Sequence, residues 1–447
     1  MTHKKLYIFF SRLLSFKFEL FWILAGLVIQ LFSGIFTIKI LTNYLSTNDY
    51  GIYILINSII QFLEIVVFSS LIQGAAKFSY YLKDISHSFE FARKTSLKIF
   101  YFLFFVSVFT SLVFIYLGKI DLIYYCFLIL SLIYFDVNRD IIIGIFHMDR
   151  SRKQVTLFRS SDQFLRMILL IILGLLGLIN VKNIFLGFIL TTSLVFFVLI
   201  KKKANFHAKE SVSYGNLNGD KKEKLKQKVL RFALPFALTS IFTWVLTWAD
   251  RWVLNLFLSV DKVGSYSANS QIANVPFMII SSIALTFFTP IIYKKVEKLK
   301  VLKDFENLKN QLIKILVFYL VISFLIFLMA LLFEQNILNY LLTKDFVINN
   351  YLFIVISLGW LLYQIAQVQA AIYLYSTGGS KEVLISTLIS GIFYVITLIF
   401  LVNIFGEIGA GYSFVLSSLL RILLQFILAE KSWKSFGSKI LQSLPNQ

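Results

Sequence analysis

Cysteine is almost absent: Cys126, set in an apolar run, is the single one. One thiol has no disulfide partner and builds no thiolate metal site. Proline is scarce at 4, and 20 glycines are too few for a fibrous or low-complexity chain. Charge is short as well. Charged residues make up 15%, where a soluble domain carries roughly 25% to cover its surface. No glycine-rich phosphate loop ending in Gly-Lys-Ser or Gly-Lys-Thr occurs, so the chain has no such device for ATP hydrolysis. The four histidines, His3, His87, His147 and His207, fall in or beside stretches expected outside the membrane. They offer no metal site and no membrane proton relay. These shortages exclude a water-soluble globular protein, a disordered chain and a secreted disulfide scaffold.

What is there is apolar. Hydrophobic residues make up 58% of the 447, and Phe alone numbers 48. A membrane helix needs about 20 mostly apolar residues. Twelve stretches qualify: about 18–41, 52–76, 99–117, 122–146, 161–179, 184–200, 232–258, 265–290, 311–333, 350–374, 383–404 and 410–429. The expectation is an all-α integral membrane protein. The first run is too long for the apolar core of a cleaved signal, and no small-residue cleavage site follows it.

The 43 Lys and Arg outnumber the 23 Asp and Glu, for a formal charge of +20. In a soluble protein that surplus suggests nucleic acid; here its distribution decides otherwise. The densest cluster runs from Lys201-Lys202-Lys203 to Arg231, between two apolar stretches. Alternate loops carry most of the remaining cations, whereas the opposite loops hold little beyond Lys119, Lys182, Lys262 and Lys344. Positive charge gathers on the cytoplasmic side, which predicts both termini there and no nucleic-acid partner.

The chain also looks duplicated. Ile40–Tyr53 reads ILTNYLSTNDYGIY and Val253–Tyr266 reads VLNLFLSVDKVGSY. At one constant offset, Leu41, Leu45, Ser46, Gly51 and Tyr53 fall on Leu254, Leu258, Ser259, Gly264 and Tyr266. Each segment leaves the first helix of its half and enters the second. Six helices per half give both halves one orientation, and a parallel repeat implies a pseudo-two-fold axis along the membrane normal with a substrate site between halves. The expected division is a six-helix lobe over 1–200, a basic cytoplasmic loop over 201–231, and a second six-helix lobe with a short tail over 232–447.

Several motifs carry a family resemblance. One is Asn43–Tyr53, NYLSTNDYGIY, running on through Gln73-Gly74. Another spans Arg231–Pro290: FALPFAL at 232–238, Trp-Ala-Asp-Arg-Trp at 248–252, VGSYSANSQIA at 263–273, and Pro290 closing the helix. The third is Gly378-Gly379-Ser380-Lys381, then Phe405-Gly406-Glu407-Ile408-Gly409-Ala410-Gly411. In this order on twelve helices the chain resembles the Wzx-type O-antigen and repeat-unit flippases of the multidrug/oligosaccharidyl-lipid/polysaccharide (MOP) transporter superfamily. The resemblance implies two six-helix lobes around a central cavity that opens alternately to either side. It implies a polyprenyl-diphosphate-linked oligosaccharide substrate, made at the cytoplasmic face of the bacterial inner membrane and delivered outward. Polysaccharide polymerase and chain-length proteins are the partners it suggests, beside the phospholipid membrane itself. It implies no catalytic residue and no cofactor.

Ionisable residues inside apolar stretches are the candidates, because each costs roughly 2.5–3.5 kcal/mol at mid-helix on the insertion scale. Asp136, Arg139 and Asp140 stand at i, i+3 and i+4, and Asp162 and Arg166 at i and i+4, spacings that allow pairing on one helix face. Lys39, Glu64 and Arg421 have no opposite charge at such spacing. Arg251 has only its neighbour Asp250, which should point about 100° away around the helix. A water-filled cavity lined by Lys39, Arg251 and Arg421 would lower the cost and attract an anion. Substrate-binding candidates are therefore Arg251, Arg421, Lys39, Arg139 and Arg166, with Glu64 and Asp250 as coupling or charge-balancing groups. Pro276 is the candidate hinge, since an interior proline removes a backbone hydrogen bond; Pro235 reads as a harmless first-turn residue.

Two other functions compete. A polysaccharide polymerase or ligase would need a sizeable outward loop with acid, base and Arg residues, and the longest one, about 334–349, offers Glu334, Lys344 and Asp345. A cation-coupled drug exporter of the same superfamily would favour acidic binding residues.

Overall fold

A computed structural model describes residues 3–82, 85–118, 120–148, 151–209, 219–296, 302–347, 350–374 and 379–443. Residues 210–218 of the expected basic loop and Gly378 lie outside the described residues, as do the side chains of His3, His87, His207 and Pro290. The described residues are almost wholly helical. Each of the twelve apolar stretches falls on a long helix, although α6 ends at Leu175, short of the expected 179. Nine helices among the described residues are long and apolar enough to cross a membrane by length and composition. The helices α5, α6 and α8 are not among the nine, and each carries buried charge.

Two compact units divide the chain: Met1–Tyr44 with Ile56–Ala237, and Leu45–Leu55 with Leu238–Gln447. In unit 1, α5 (Ile120–Met148) packs against α3 (Ser69–Leu82), α4 (Ile85–Tyr116), α6 (Arg152–Leu175) and α7 (Val181–Lys209), while α1 (His3–Tyr44) lies on α6. The helix α2 (Thr47–Phe62) runs into α3 through a π-helical segment, Leu63–Phe68. Helix α4 leaves Phe102, Phe105 and Phe109 exposed on one stripe, the face an apolar solvent would wet.

Unit 2 is built on α12 (Asn350–Gln369), which packs against α9 (Val260–Val296), α10 (Leu302–Leu332) and α14 (Glu407–Ser443); α13 (Ser380–Phe405) lies on α14. Buried Ser386, Thr387 and Ser390 on α13, with Ser413 on α14, return their hydroxyls to carbonyls of their own helices. Small residues with self-satisfied hydroxyls let helices approach closely where apolar solvent offers no hydrophobic drive. Of the longest expected outward segment, 334–347 are described. It contains α11 (Glu334–Leu341) and a short turn at Lys344–Phe346, and Asn269 Nδ2 donates to the Phe346 carbonyl at 2.7 Å.

Two expectations about proline fail. Helix α8 (Gly219–Phe257) begins well before Pro235, which is an interior residue and not a first-turn one. Helix α9 continues six residues past Pro290, to Val296. Pro276 is half-buried inside α9.

Candidate functional site

In unit 1 the charges predicted to pair along single helices also pair across them. Asp136, Arg139 and Asp140 share a face of α5, and Asp162 and Arg166 share one of α6. Arg139 Nη1 lies 2.7 Å from Asp136 and 2.6 Å from Asp162, and its Nη2 3.1 Å from Asp140. Arg166 Nη2 lies 2.9 Å from Asp136, and its Nε 3.2 Å from Asp162. The pairs thus weave into a crossed network. Thr192 on α7 closes it, accepting from Arg166 at 2.7 Å and donating to Asp162 at 3.2 Å. Spacing shows only which charges share a helix; the contact between α5 and α6 brings the second set of partners.

Glu64 joins this centre from the π-helical segment, a wide turn that often marks functional positions. Its carboxylate accepts a 3.0 Å hydrogen bond from Gln61 Nε2. Counted together, Glu64, Asp136, Asp140 and Asp162 exceed Arg139, Arg166 and the nearby Arg159 by one charge. A cavity of about 450 Å³ opens beside them, walled by Glu64, Asp136, Asp140, Gln73, His147 and Arg159. Its charged lining is three carboxylates to one guanidinium, and it is a different space from the basic one expected of Lys39, Arg251 and Arg421. Among the described residues no group of three or more His, Cys, Asp or Glu is arranged to hold a metal ion.

His147 was not singled out from sequence as a cavity residue. It stands at the end of α5, beyond the expected span, in contact with the Arg152 guanidinium. Partial desolvation, with the cations Arg152 and Arg159 beside it, pulls its imidazole down to about 4. Lys39 is half-buried on α1, with contacts of its own.

In unit 2 the expectation that Asp250 points away from Arg251 is overturned. Arg251 Nη1 donates to Asp250 Oδ1 at 2.6 Å and Oδ2 at 2.8 Å. The long Arg stem lets the guanidinium fold back along α8, where Nη1 also meets the Thr247 carbonyl. The rings of Trp248 and Tyr266 lie 5.1 and 5.9 Å from the guanidinium carbon. Both charged residues are buried, so the pair is compensated locally. Its Nη2 reaches Ser270 Oγ at 3.4 Å, which also accepts from Trp360 Nε1 at 2.9 Å.

Trp360 leads to the other cation. Its ring packs on Tyr363 at 5.4 Å between centroids, and Arg421 lies over Tyr363, also at 5.4 Å. Arg421 is only 2% exposed, and among the described residues no carboxylate stands within ion-pairing distance. One turn on, Gln425 is fully buried. Sequence reasoning missed it, although a glutamine four residues after a membrane arginine was a readable signal.

The sequence model of a family described as polysaccharide biosynthesis protein matches residues 19–296. No curated protein matches the chain. Among solved structures, one in an inward-facing conformation of a multidrug resistance MATE family transporter of the MOP superfamily superposes with a TM-score of 0.72. It is 13% identical, covering 92% of this chain and 95% of the other. The lipid II flippase MurJ in an inward closed conformation gives a TM-score of 0.67 at 16% identity, over 96% and 94%. A MOP superfamily transporter from Pyrococcus furiosus gives 0.64 at 13%, over 93% and 94%. At such identities the likeness shows the fold, which is that of MOP superfamily transporters.

Proposed function

The chain belongs to the family described as polysaccharide biosynthesis protein, and from that premise we propose that it is a flippase for a polyprenyl-diphosphate-linked oligosaccharide. It moves the repeat unit, of O-antigen or capsule type, from the cytoplasmic to the outer face of a bacterial inner membrane. It works as a carrier by alternating access and not as an enzyme. Both termini lie in the cytoplasm, and the six-helix halves 1–200 and 232–447 are its moving parts, joined by the basic segment 201–231, which includes the end of α7 and the start of α8. Polymerase and chain-length proteins take up the product.

The observation that carries this reading is the opposite surplus in the two buried centres. The unit 1 centre, with Arg159 on the cavity wall, holds one more carboxylate than guanidiniums, whereas in unit 2 Asp250 matches Arg251 and leaves Arg421 unmatched. A buried charge without a partner is strongly unfavourable, so each centre suits a mobile charge of the missing sign. The substrate's diphosphate supplies it at Arg421, with Arg251, Lys39, Arg139 and Arg166 as further candidate contacts. A proton or other cation supplies it near Glu64, and Asp250 balances Arg251. Pro276 serves as the hinge of α9.

The acidic cavity of unit 1 favours a second reading, a cation-coupled exporter of small cationic molecules. Deleting the gene and analysing lipid-linked glycans separates the two. Complete repeat units accumulating on the cytoplasmic side support the flippase. Unchanged glycans with heightened sensitivity to cationic drugs support the exporter.

A further inference from the structure

The last helix carries a polar pair on one face. Arg421 and Gln425 stand at i and i+4 on α14, so their side chains lie one above the other. Both are at least 98% buried, at 2% and 0% exposure. Arg421 Nε and Nη1 find no hydrogen-bond partner among the described residues, and neither do Gln425 Nε2 and Oε1. The Tyr363 ring covers the guanidinium in a cation–π contact, which engages none of these donors. Arg251 makes the contrast: equally buried, and with its Nε likewise idle, it has Asp250, the Thr247 carbonyl and Ser270 on its terminal nitrogens. Buried polar groups are nearly always hydrogen-bonded, and the exceptions call for a reason. Here the exceptions are adjacent, and one bears a positive charge.

We propose that Arg421 and Gln425 are the binding pair for a phosphate-type oxyanion that carries a hydroxyl beside it. The inference rests on the reading of the chain as a carrier of a diphosphate-linked lipid, and it names the residues that recognise the anion. Guanidinium nitrogens donate to anionic oxygens in strong, charge-assisted bonds, and Gln425 Nε2 adds an amide donor one turn away. Gln425 Oε1 is an acceptor, so the ligand must also donate. A halide or a carboxylate leaves that oxygen idle. A hydrogen phosphate satisfies it with its own proton, and a sugar diphosphate satisfies it with a neighbouring sugar hydroxyl. Tyr363 seats the guanidinium from the α12 side. Free phosphate and the lipid-linked diphosphate are the two sources of this chemistry.

The whole protein, purified in detergent, is titrated with sodium phosphate and with sodium pyrophosphate against sodium chloride at matched ionic strength. Thermal melting and calorimetry are read. A second arm uses nanodiscs with and without polyprenyl diphosphate bearing a sugar. Saturable binding by the wild type is expected in at least one arm, and the responding arm identifies the source. Gln425→Met, which keeps the volume, should weaken it roughly thirtyfold, the loss of the amide donor and acceptor together. Arg421→Lys should retain part of it, because a point charge remains but the planar donor set does not. Arg421→Met should abolish it; should that variant fail to accumulate, the other two carry the test. No saturable response, a chloride response equal to that of phosphate, or equal affinity in wild type and Gln425→Met overturns the pair. The carrier reading fails separately: a deletion strain with normal lipid-linked glycans overturns it even if the pair binds phosphate.

Discussion

Gly51 and Gly264 each sit against the other's helix at the residue four positions before its glycine. A Cβ on Gly51 would stand 2.2 Å from the Val260 carbonyl oxygen, and one on Gly264 would stand 2.0 Å from that of Thr47. The offset that carries Gly51 to Gly264 carries Thr47 to Val260, so the contact exchanges with itself. The helix starts match too. Asp49 N–H donates to Ser46 Oγ at 3.1 Å, and Lys262 N–H donates to Ser259 Oγ at 3.3 Å, the same N-cap in both repeats. Thr47 Oγ1 adds a 2.9 Å bond to Asp261. The repeated sequence is therefore a repeated crossing, with backbone on backbone where any side chain would intrude.

Alanine at Gly51 or Gly264 should force this crossing apart and lower the melting temperature and membrane abundance of the protein. Gly34, with nothing within 4 Å of its added Cβ, is the control. Gly34→Ala should be neutral or slightly stabilising, by up to about 1 kcal/mol, since alanine suits a helix better. The double Gly51→Ala/Gly264→Ala variant should lose less than the two single losses summed, because both open one contact. Equal melting of Gly51→Ala and Gly34→Ala would refute the crossing.

Arg139→Met should be the most damaging change in unit 1. It leaves Asp140 without its cation and Arg166 alone against Asp136 and Asp162, and removing one partner of a buried pair costs about 3–5 kcal/mol. Adding Asp162→Asn should recover part of the loss. Size-exclusion profiles and melts of the single and double variants read this directly; a single variant that melts like wild type contradicts the network.

Asp250→Asn strands a guanidinium that is itself buried. Membrane abundance should fall, and Asp250→Asn/Arg251→Met should restore most of it. Normal abundance of Asp250→Asn with altered export would instead assign Arg251 to the substrate.

His147 gives a pH prediction. Its folded pKa, about 4, lies below the ordinary value near 6.5, so the unfolded chain takes up this proton first. Stability from this group is intact above about 6.5 and falls as pH drops from there towards 4. Melting temperatures at pH 7 and pH 5 should differ less in His147→Gln than in wild type. An equal or larger difference in the variant removes the effect.

The spans were legible because about twenty apolar residues in a row have few other uses. The ends of helices were not: α8 starts within a lysine-rich stretch that hydropathy reads as loop, and α9 runs past Pro290. Pairing along α5 and α6 was legible from spacing, whereas Arg139–Asp162 and Arg166–Asp136 needed the helices side by side. Arg251 was misplaced because angular reasoning follows the Cβ direction, and a long stem ignores it. Gln425 escaped notice because an uncharged side chain carries no insertion cost large enough to stand out. The wide turn that bears Glu64 leaves no mark in the residue pattern.

The most direct measurement places the purified protein in vesicles carrying a labelled polyprenyl-diphosphate oligosaccharide and follows the sugar's exposure to a membrane-impermeant reagent on each side. The flippase account predicts that wild-type protein brings inner-leaflet sugar to the reagent, and that Arg421→Met, confirmed as folded, moves it no faster than empty vesicles. Inner-leaflet sugar that stays protected with folded wild-type protein present would contradict it.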